Sequence, residues 1–306
     1  MSDSMEEFEH RLRVLLPETY QVFDAAVQPR SMGSAGLRYG PDGKVEWDKM
    51  WATFCHLAMA GGPPHRGKLL EPFRGSNLTP EQQTSMLAAS AEIGRGIGLV
   101  TRLCAEPASR AGWLRLYCTS AAMAGWVARA IVMENVTAVV QGLSVFLPTG
   151  PHFRVEKEIK NVITSVAKTC HYWQDHMTEA QHAQVAELLA AMDRQMPLLQ
   201  PGLDVTPISE STRRRIEDEI AQETSFEVVD RYEDWVGLDC GSVAAAIWLM
   251  RALAVCNCSA RREETILFAP LNAQQDSDGT RVVAALTEAT RMARSFGVLQ
   301  ALEVRA

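Results

Sequence analysis

The stretch Trp113 to Pro148 occurs twice in this chain. Shifted by 122 positions, it lies on Trp235 to Pro270 without a gap, and 13 of the 36 positions are identical. The matches include Trp113/Trp235, Cys118/Cys240, Ser120/Ser242, Trp126/Trp248, Arg129/Arg251, Asn135/Asn257, Phe146/Phe268 and Pro148/Pro270. Unrelated segments of ordinary composition would agree at about two or three positions. A copied segment must fold twice in similar surroundings, which constrains architecture more than any other feature of the sequence.

Each copy reads as one supersecondary unit. Trp113–Cys118 alternates and is rich in aromatic and branched residues, which predicts a strand. Ser120 stands where an N-cap belongs, and Ala121–Glu134 follows as a helix with Met123, Trp126, Val127, Ala130 and Ile131 on one face. Val136–Val140 and Leu143–Leu147 flank Gln141-Gly142, a hairpin signal, and Pro148 ends the strand. In the second copy Trp235–Cys240 is the strand, Ser242 the cap and Val243–Cys256 the helix. Ser259–Arg262 and Thr265–Ala269 then form the hairpin around Glu263-Glu264. Helices are expected before each copy (Pro80–Ala105, Glu210–Glu223) and after each (Glu156–Met177, Asp278–Phe296).

The fold class expected is α/β, with α+β as the alternative. Two helix-strand-helix-hairpin-helix units would be related by a pseudo-twofold, behind an N-terminal helical segment. The expected divisions are residues 1–78, 79–195 and 196–306, with the Pro- and Leu-rich stretch 196–209 as linker. The strand-Cys-x-Ser-helix step faintly resembles small sulfur-carrier proteins of the TusA type, which place a reactive Cys at a helix start in a Cys-Pro pair. Here Thr119 and Gly241 stand where that Pro would be, and only a few residues per copy carry the likeness.

The 306 residues suffice for a large core, and 47% hydrophobic with 22% charged residues is ordinary for a soluble globular chain. A formal net charge of −7 disfavours nucleic acid as a partner. The acidic start Met1–Glu9 has no apolar core and does not read as a signal peptide. The best apolar run, Val243–Met250, stops at Arg251, too short for a membrane span. Seven scattered cysteines point to reduced thiols and a cytoplasmic location. A homodimer is compatible with this reading, and no motif specifies a cofactor.

Before the first copy, Glu6–Leu16 and 17–27 read as short helices and Ser31–Gly43 as a glycine-rich loop. That loop lacks the spacing of a phosphate cradle. Trp47–Ala60 carries Trp47, Met50, Trp51, Phe54 and Leu57 at helical spacing, so a helix is expected there. The segment Gly61-Gly-Pro-Pro-His-Arg-Gly-Lys-Leu-Leu-Glu-Pro72 is stiffened by prolines. It offers His65, Arg66 and Lys68 as donors suited to a carboxylate or phosphate. It reads equally as a rigid surface connector. In Pro80–Ala105, Ser90, Gly94 and Gly98 recur every four residues, a stripe that lets another element pack closely.

Helix 156–177 has an apolar face (Ile159, Val162, Ile163, Val166, Cys170, Trp173). Its opposite stripe holds Lys157, Asn161, Thr164, Lys168 and Asp175, with His171 at the border. A solvated face is the ordinary reading, and a cleft lining the alternative. The aligned helix of the second copy lacks this polar set, which places the chemistry in the first. His171, His176 and His182 invite a metal reading, but the i, i+5 interval between His171 and His176 fits shared-face ligation poorly. No metal is therefore expected.

Three functions remain open. One is an enzyme for a small anionic molecule, with Arg66, Lys68, Lys157, Asn161 and Lys168 binding it and His65 or His171 transferring protons. The second is a thiol-dependent sulfur-transfer or redox protein using Cys118 or Cys240, whose place before a helix start favours thiolate. Burial as small hydrophobes is the plain alternative for those two residues. The third is a non-catalytic, duplicated binding or scaffold protein.

Overall fold

The computed structural model describes residues 2–21, 36–51, 53–75, 77–204 and 206–299. Among these the helices are α1 (Ser2–Leu15), α2 (Glu18–Gln21), α3 (Pro80–Thr101), α4 (Ala121–Met133), α5 (Lys160–Asp175), α6 (Glu179–Gln195), α7 (Glu210–Thr224), α8 (Val243–Val255) and α9 (Thr280–Ser295). The strands are β1 (Ala105–Pro107), β2 (Trp113–Tyr117), β3 (Val139–Gln141), β4 (Ser144–Pro148), β5 (Glu227–Tyr232), β6 (Trp235–Asp239), β7 (Arg261–Glu263) and β8 (Ile266–Pro270). The chain is thus mixed helix and sheet, with two four-stranded sheets whose neighbouring strands are all antiparallel.

It forms two compact units. A middle unit comprises the described residues of Val27–Thr178, and a split unit those of Met1–Ala26 with Glu179–Ala306. This division differs from the expected boundaries at 78/79 and 195/196. The reason is local: α6 packs on α1, so both join the split unit, and stretch 196–209 lies inside that unit.

In the middle unit the strand order is β1-β2-β4-β3, with Trp113 opposite Pro148 and Tyr117 opposite Ser144. Helix α4 packs on β3 and β4 on one side and on α5 on the other, so Met123–Met133 is buried all round instead of along one stripe. Its cap is as expected: Ser120 Oγ accepts from Met123 N at 3.0 Å. In the split unit the order is β5-β6-β8-β7, Trp235 faces Pro270 and Asp239 faces Ile266. Helix α8 packs on β7, β8 and α9, and Ser242 caps it through Ala245 N at 3.1 Å. Both hairpins turn one residue later than expected, at Gly142-Leu143 and Glu264-Thr265, because Gly142 (φ 58°) and Glu264 (φ 54°) supply the left-handed residue.

Strands β1 and β5 are not in the expected unit. β1 is a three-residue edge strand that ends in a proline, too short to carry a periodic signal. The small-residue stripe of α3 does admit its neighbours. A Cβ on Gly94 would lie 2.5 Å from Ala105 O, whereas one on Gly98 would make only ordinary contact, 3.7 Å from Leu103 O; off the stripe, a Cβ on Gly96 would clash with Ile163 Cδ1 of α5. Ser90 Oγ meets Thr149 Oγ1 at 3.1 Å.

The helix expected over Trp47–Ala60 is absent. Only 3-10 turns at Trp47–Lys49 and Ala58–Ala60 form, with bridging or irregular backbone at the other described positions. The apolar side chains are buried, but by separate anchors: Trp47 Nε1 donates to Glu92 Oε1 at 2.7 Å, and Ala58 N donates to Glu134 Oε1 at 2.9 Å. Tertiary bonds have taken the amide a helix would use. The second expected helix is described only as Glu18–Gln21. Its remainder to Val27, residues 31–35 of the glycine-rich loop and the tail after Leu299 lie outside the described residues. The turn at Pro41–Gly43 forms as expected, with Gly43 N on Gly40 O at 3.0 Å. No helix among the described residues is long and apolar enough to cross a membrane.

Candidate functional site

The site grows from the C-terminal end of α4. Glu134, the C-cap residue, is wholly buried, and its carboxylate gathers two backbone donors from one distant segment and a lysine cation from another. Oε1 lies 2.9 Å from both Ala58 N and Lys168 Nζ, and Oε2 accepts from His65 N at 2.8 Å. The Lys168 ammonium is the cation paired with this carboxylate. Burial pulls the Lys168 pKa down. Glu134, helped by Cys55 on the loop, outweighs it, and the net displacement is upward.

The next residue positions the basic loop. Asn135 is left-handed (φ 61°), a conformation that Asn tolerates better than most residues. Its Nδ2 donates to Arg66 O at 2.7 Å, its carbonyl accepts from Leu70 N at 2.8 Å, and Thr137 N returns to Leu70 O at 3.0 Å. The loop is therefore laced to the exit of α4 along its backbone.

His65 closes the arrangement. Its Nε2 lies 2.9 Å from Asn161 Oδ1 on the first turn of α5. Burial, the dominant effect, depresses the imidazole pKa to about 4, so the ring is neutral at pH 7. A neutral ring that donates Nε2–H to Asn161 Oδ1 keeps Nδ1 as a bare acceptor. Loop 63–68 and the polar stripe of α5, separated by some ninety residues of chain, thus meet at His65, Glu134, Asn161 and Lys168.

The remaining expected residues divide. Lys68 and Lys157 are exposed, and Arg66 is half-buried with Nε on Lys68 O at 3.2 Å. His171 is turned elsewhere: Nδ1 lies 2.6 Å from Asp175 Oδ2, and Nε2 lies 3.1 Å from His176 Nε2. The stripe itself is not a solvated face, because Thr164 and Lys168 are fully buried. Cys118 and Cys240 do stand just before helix caps, but burial pushes both thiols up to about 12. That direction is opposite to the thiolate expected of a nucleophile at a helix start.

Glu134, Cys55 and the Asn135 tether were not among the expected site residues. One signal was available: 122 positions on from Glu134 and Lys168 stand Cys256 and Thr290, so both charges are missing there together. A groove of about 300 Å³ lies elsewhere, between α1 and α6, lined by Glu7, His10, Arg11, Gln184 and Glu187 among others. Its Arg11–Glu7 pair is an exposed i, i+4 contact, and none of the expected residues reaches it. No protein-family model, curated protein or solved structure matches the chain.

Proposed function

We propose that the middle unit is the working half of an enzyme for a small anionic molecule, which binds where loop 63–68 crosses the start of α5. One observation carries this reading: the paired tethers of His65, its ring on Asn161 and its amide on the Glu134–Lys168 pair. Lys68 and Lys157 supply accessible positive charge, with Arg66 beside Lys68. His65 accepts a proton at Nδ1, and Asn161 fixes the tautomer. Lys168 is neutralised by Glu134, so its part is to hold the loop and not to bind the anion. The reading leaves the reaction open.

Matching bond patterns support reading the two units as copies of one ancestral module. Asn257 is left-handed like Asn135. Its Nδ2 donates to Met196 O at 2.7 Å, its carbonyl accepts from Leu199 N at 2.9 Å, and Ser259 N returns to Leu199 O at 2.8 Å. Cys118 N on Leu143 O (2.9 Å) and Cys240 N on Thr265 O (3.0 Å) repeat at the same 122-residue offset. On this view the split unit kept the frame and lost the Glu–Lys pair. Seven free thiols fit a reducing, cytoplasmic setting.

The test is binding of inorganic phosphate and of small mono- and dicarboxylates, read by His65 ring resonances and by thermal stability. The expected result is saturable binding that perturbs His65 and is weakened about tenfold or more in Lys68→Ala/Lys157→Ala, since a charge-assisted contact contributes about 1.5–3 kcal/mol. Both positions are exposed, so folding is not at issue. Absence of any anion effect on His65, or undiminished binding by the double variant, would overturn the reading.

A further inference from the structure

We propose that His171 and His176 form a two-imidazole site for a divalent transition-metal ion, with Asp175 bracing one ligand from behind. The proposal is independent of the anion site, because the imidazole nitrogens it uses contact Asp175 and each other. In an unbroken helix an i, i+5 pair diverges, which is why the sequence argues against shared ligation. The structure removes that objection. Helix α5 stops at Asp175, and His176 is its C-cap residue with φ −117° and ψ 0°. The chain leaves the helical path there, so the His176 ring folds back onto His171, with centroids 4.8 Å apart and planes near perpendicular.

The two Nε2 atoms end 3.1 Å apart. Two nitrogens bound to one tetrahedral zinc at about 2.05 Å each would be separated by about 3.3 Å. The pair therefore stands within a few tenths of an ångström of ligand spacing. On the far side of the His171 ring, Nδ1 lies 2.6 Å from Asp175 Oδ2. A carboxylate there takes the Nδ1 proton as its hydrogen bond and leaves the Nε2 lone pair bare, the tautomer a metal needs. His176 must then turn its single Nε2 proton toward His171. A tautomer shift to Nδ1–H frees its lone pair, and a cation replaces the proton between the nitrogens.

The rings of Phe54 and Tyr172 flank the pair, 5.1 Å from His171 and 4.8 Å from His176 respectively. Both histidines are half-buried. Among the described residues no group of three His, Cys, Asp or Glu side chains closes around a metal, so the other coordination positions fall to water or an anion. Imidazole donors without thiolate suit zinc, nickel or copper over magnesium or calcium.

The experiment is a Zn²⁺ titration of the metal-stripped full chain by calorimetry, with long-range ¹H–¹⁵N spectra of the histidine rings. The expected result is a site whose ring shifts fall on His171 and His176. That site is lost in His171→Ala and in His176→Ala, weakened about tenfold in Asp175→Asn as befits an outer-sphere partner, and unchanged in His152→Ala. A parent chain whose His171 and His176 rings do not respond to Zn²⁺ would overturn the proposal. So would alanine variants that bind like the parent. Undiminished affinity in Asp175→Asn would remove Asp175 from it. The ring spectra of the parent answer the question even where a variant fails to fold.

Discussion

Replacing Glu134 by Gln is the sharpest test of how the middle unit is held. The carboxylate and the Lys168 ammonium are both 0% exposed and 2.9 Å apart. Removing one member of a buried pair leaves the other charged and uncompensated, at about 3–5 kcal/mol. The amide of Gln keeps one acceptor for Ala58 N or His65 N and turns a donor on the other. An unsatisfied buried donor adds roughly 1–3 kcal/mol, partly overlapping the first figure. The expected loss is therefore about 4–6 kcal/mol, comparable with the whole stability of an ordinary domain. Lys168→Met should cost about 3 kcal/mol or more, because it strands the carboxylate. The double variant removes both charges, as at the positions 122 residues on, where Cys256 and Thr290 stand, and should cost clearly less than the sum of the singles. A coupling of about 2 kcal/mol or more is expected. Urea unfolding followed by tryptophan fluorescence reads all three; Trp47, Trp113, Trp126 and Trp173 report on the middle unit. Singles that cost under about 1 kcal/mol and add would show that water reaches the pair, and the account of the site would be wrong.

His65 should make stability fall with acid. Its folded pKa of about 4 lies below the ordinary 6.5, so its contribution is full above pH 6.5 and is lost as pH falls from 6.5 to 4. The size is on the order of 1–3 kcal/mol after allowance for partial exposure. His65→Gln should flatten the pH dependence of unfolding in that window, and an unchanged profile would contradict the neutral, buried ring. Limiting iodoacetamide should label the exposed Cys104 before Cys118 or Cys240, whose thiols are pushed up to about 12. Faster labelling of either buried thiol, read by peptide mass spectrometry, would revive the sulfur-transfer reading. Gly94→Ala should destabilise by about 1–3 kcal/mol despite better helix propensity, because the new Cβ would meet backbone Ala105 O at 2.5 Å. A gain in melting temperature would mean that β1 can move off α3.

By itself the sequence determined the elements whose cause is local. Period-2 alternation placed β2 and β6, and Ser120 and Ser242 placed the starts of α4 and α8. Identical residues at a constant offset pointed to similar local structure in both segments without any knowledge of contacts. The basic Gly/Pro loop and the polar side of α5 were also visible as unusual composition. Tertiary structure alone decided the rest. Trp47–Ala60 has helical spacing yet is not a helix, because a carboxylate seventy-six residues away takes the Ala58 amide. The polar stripe reads as solvated, yet its centre is buried, because the lysine it needs to hide is matched by Glu134 from another helix. His171 and His176 have the wrong interval for one face, yet their nitrogens converge where the helix ends. In each case the deciding energy is a bond between residues far apart in the chain or across a break in regular structure. Periodicity records what a residue prefers along its own segment and carries no information about which distant group will meet it.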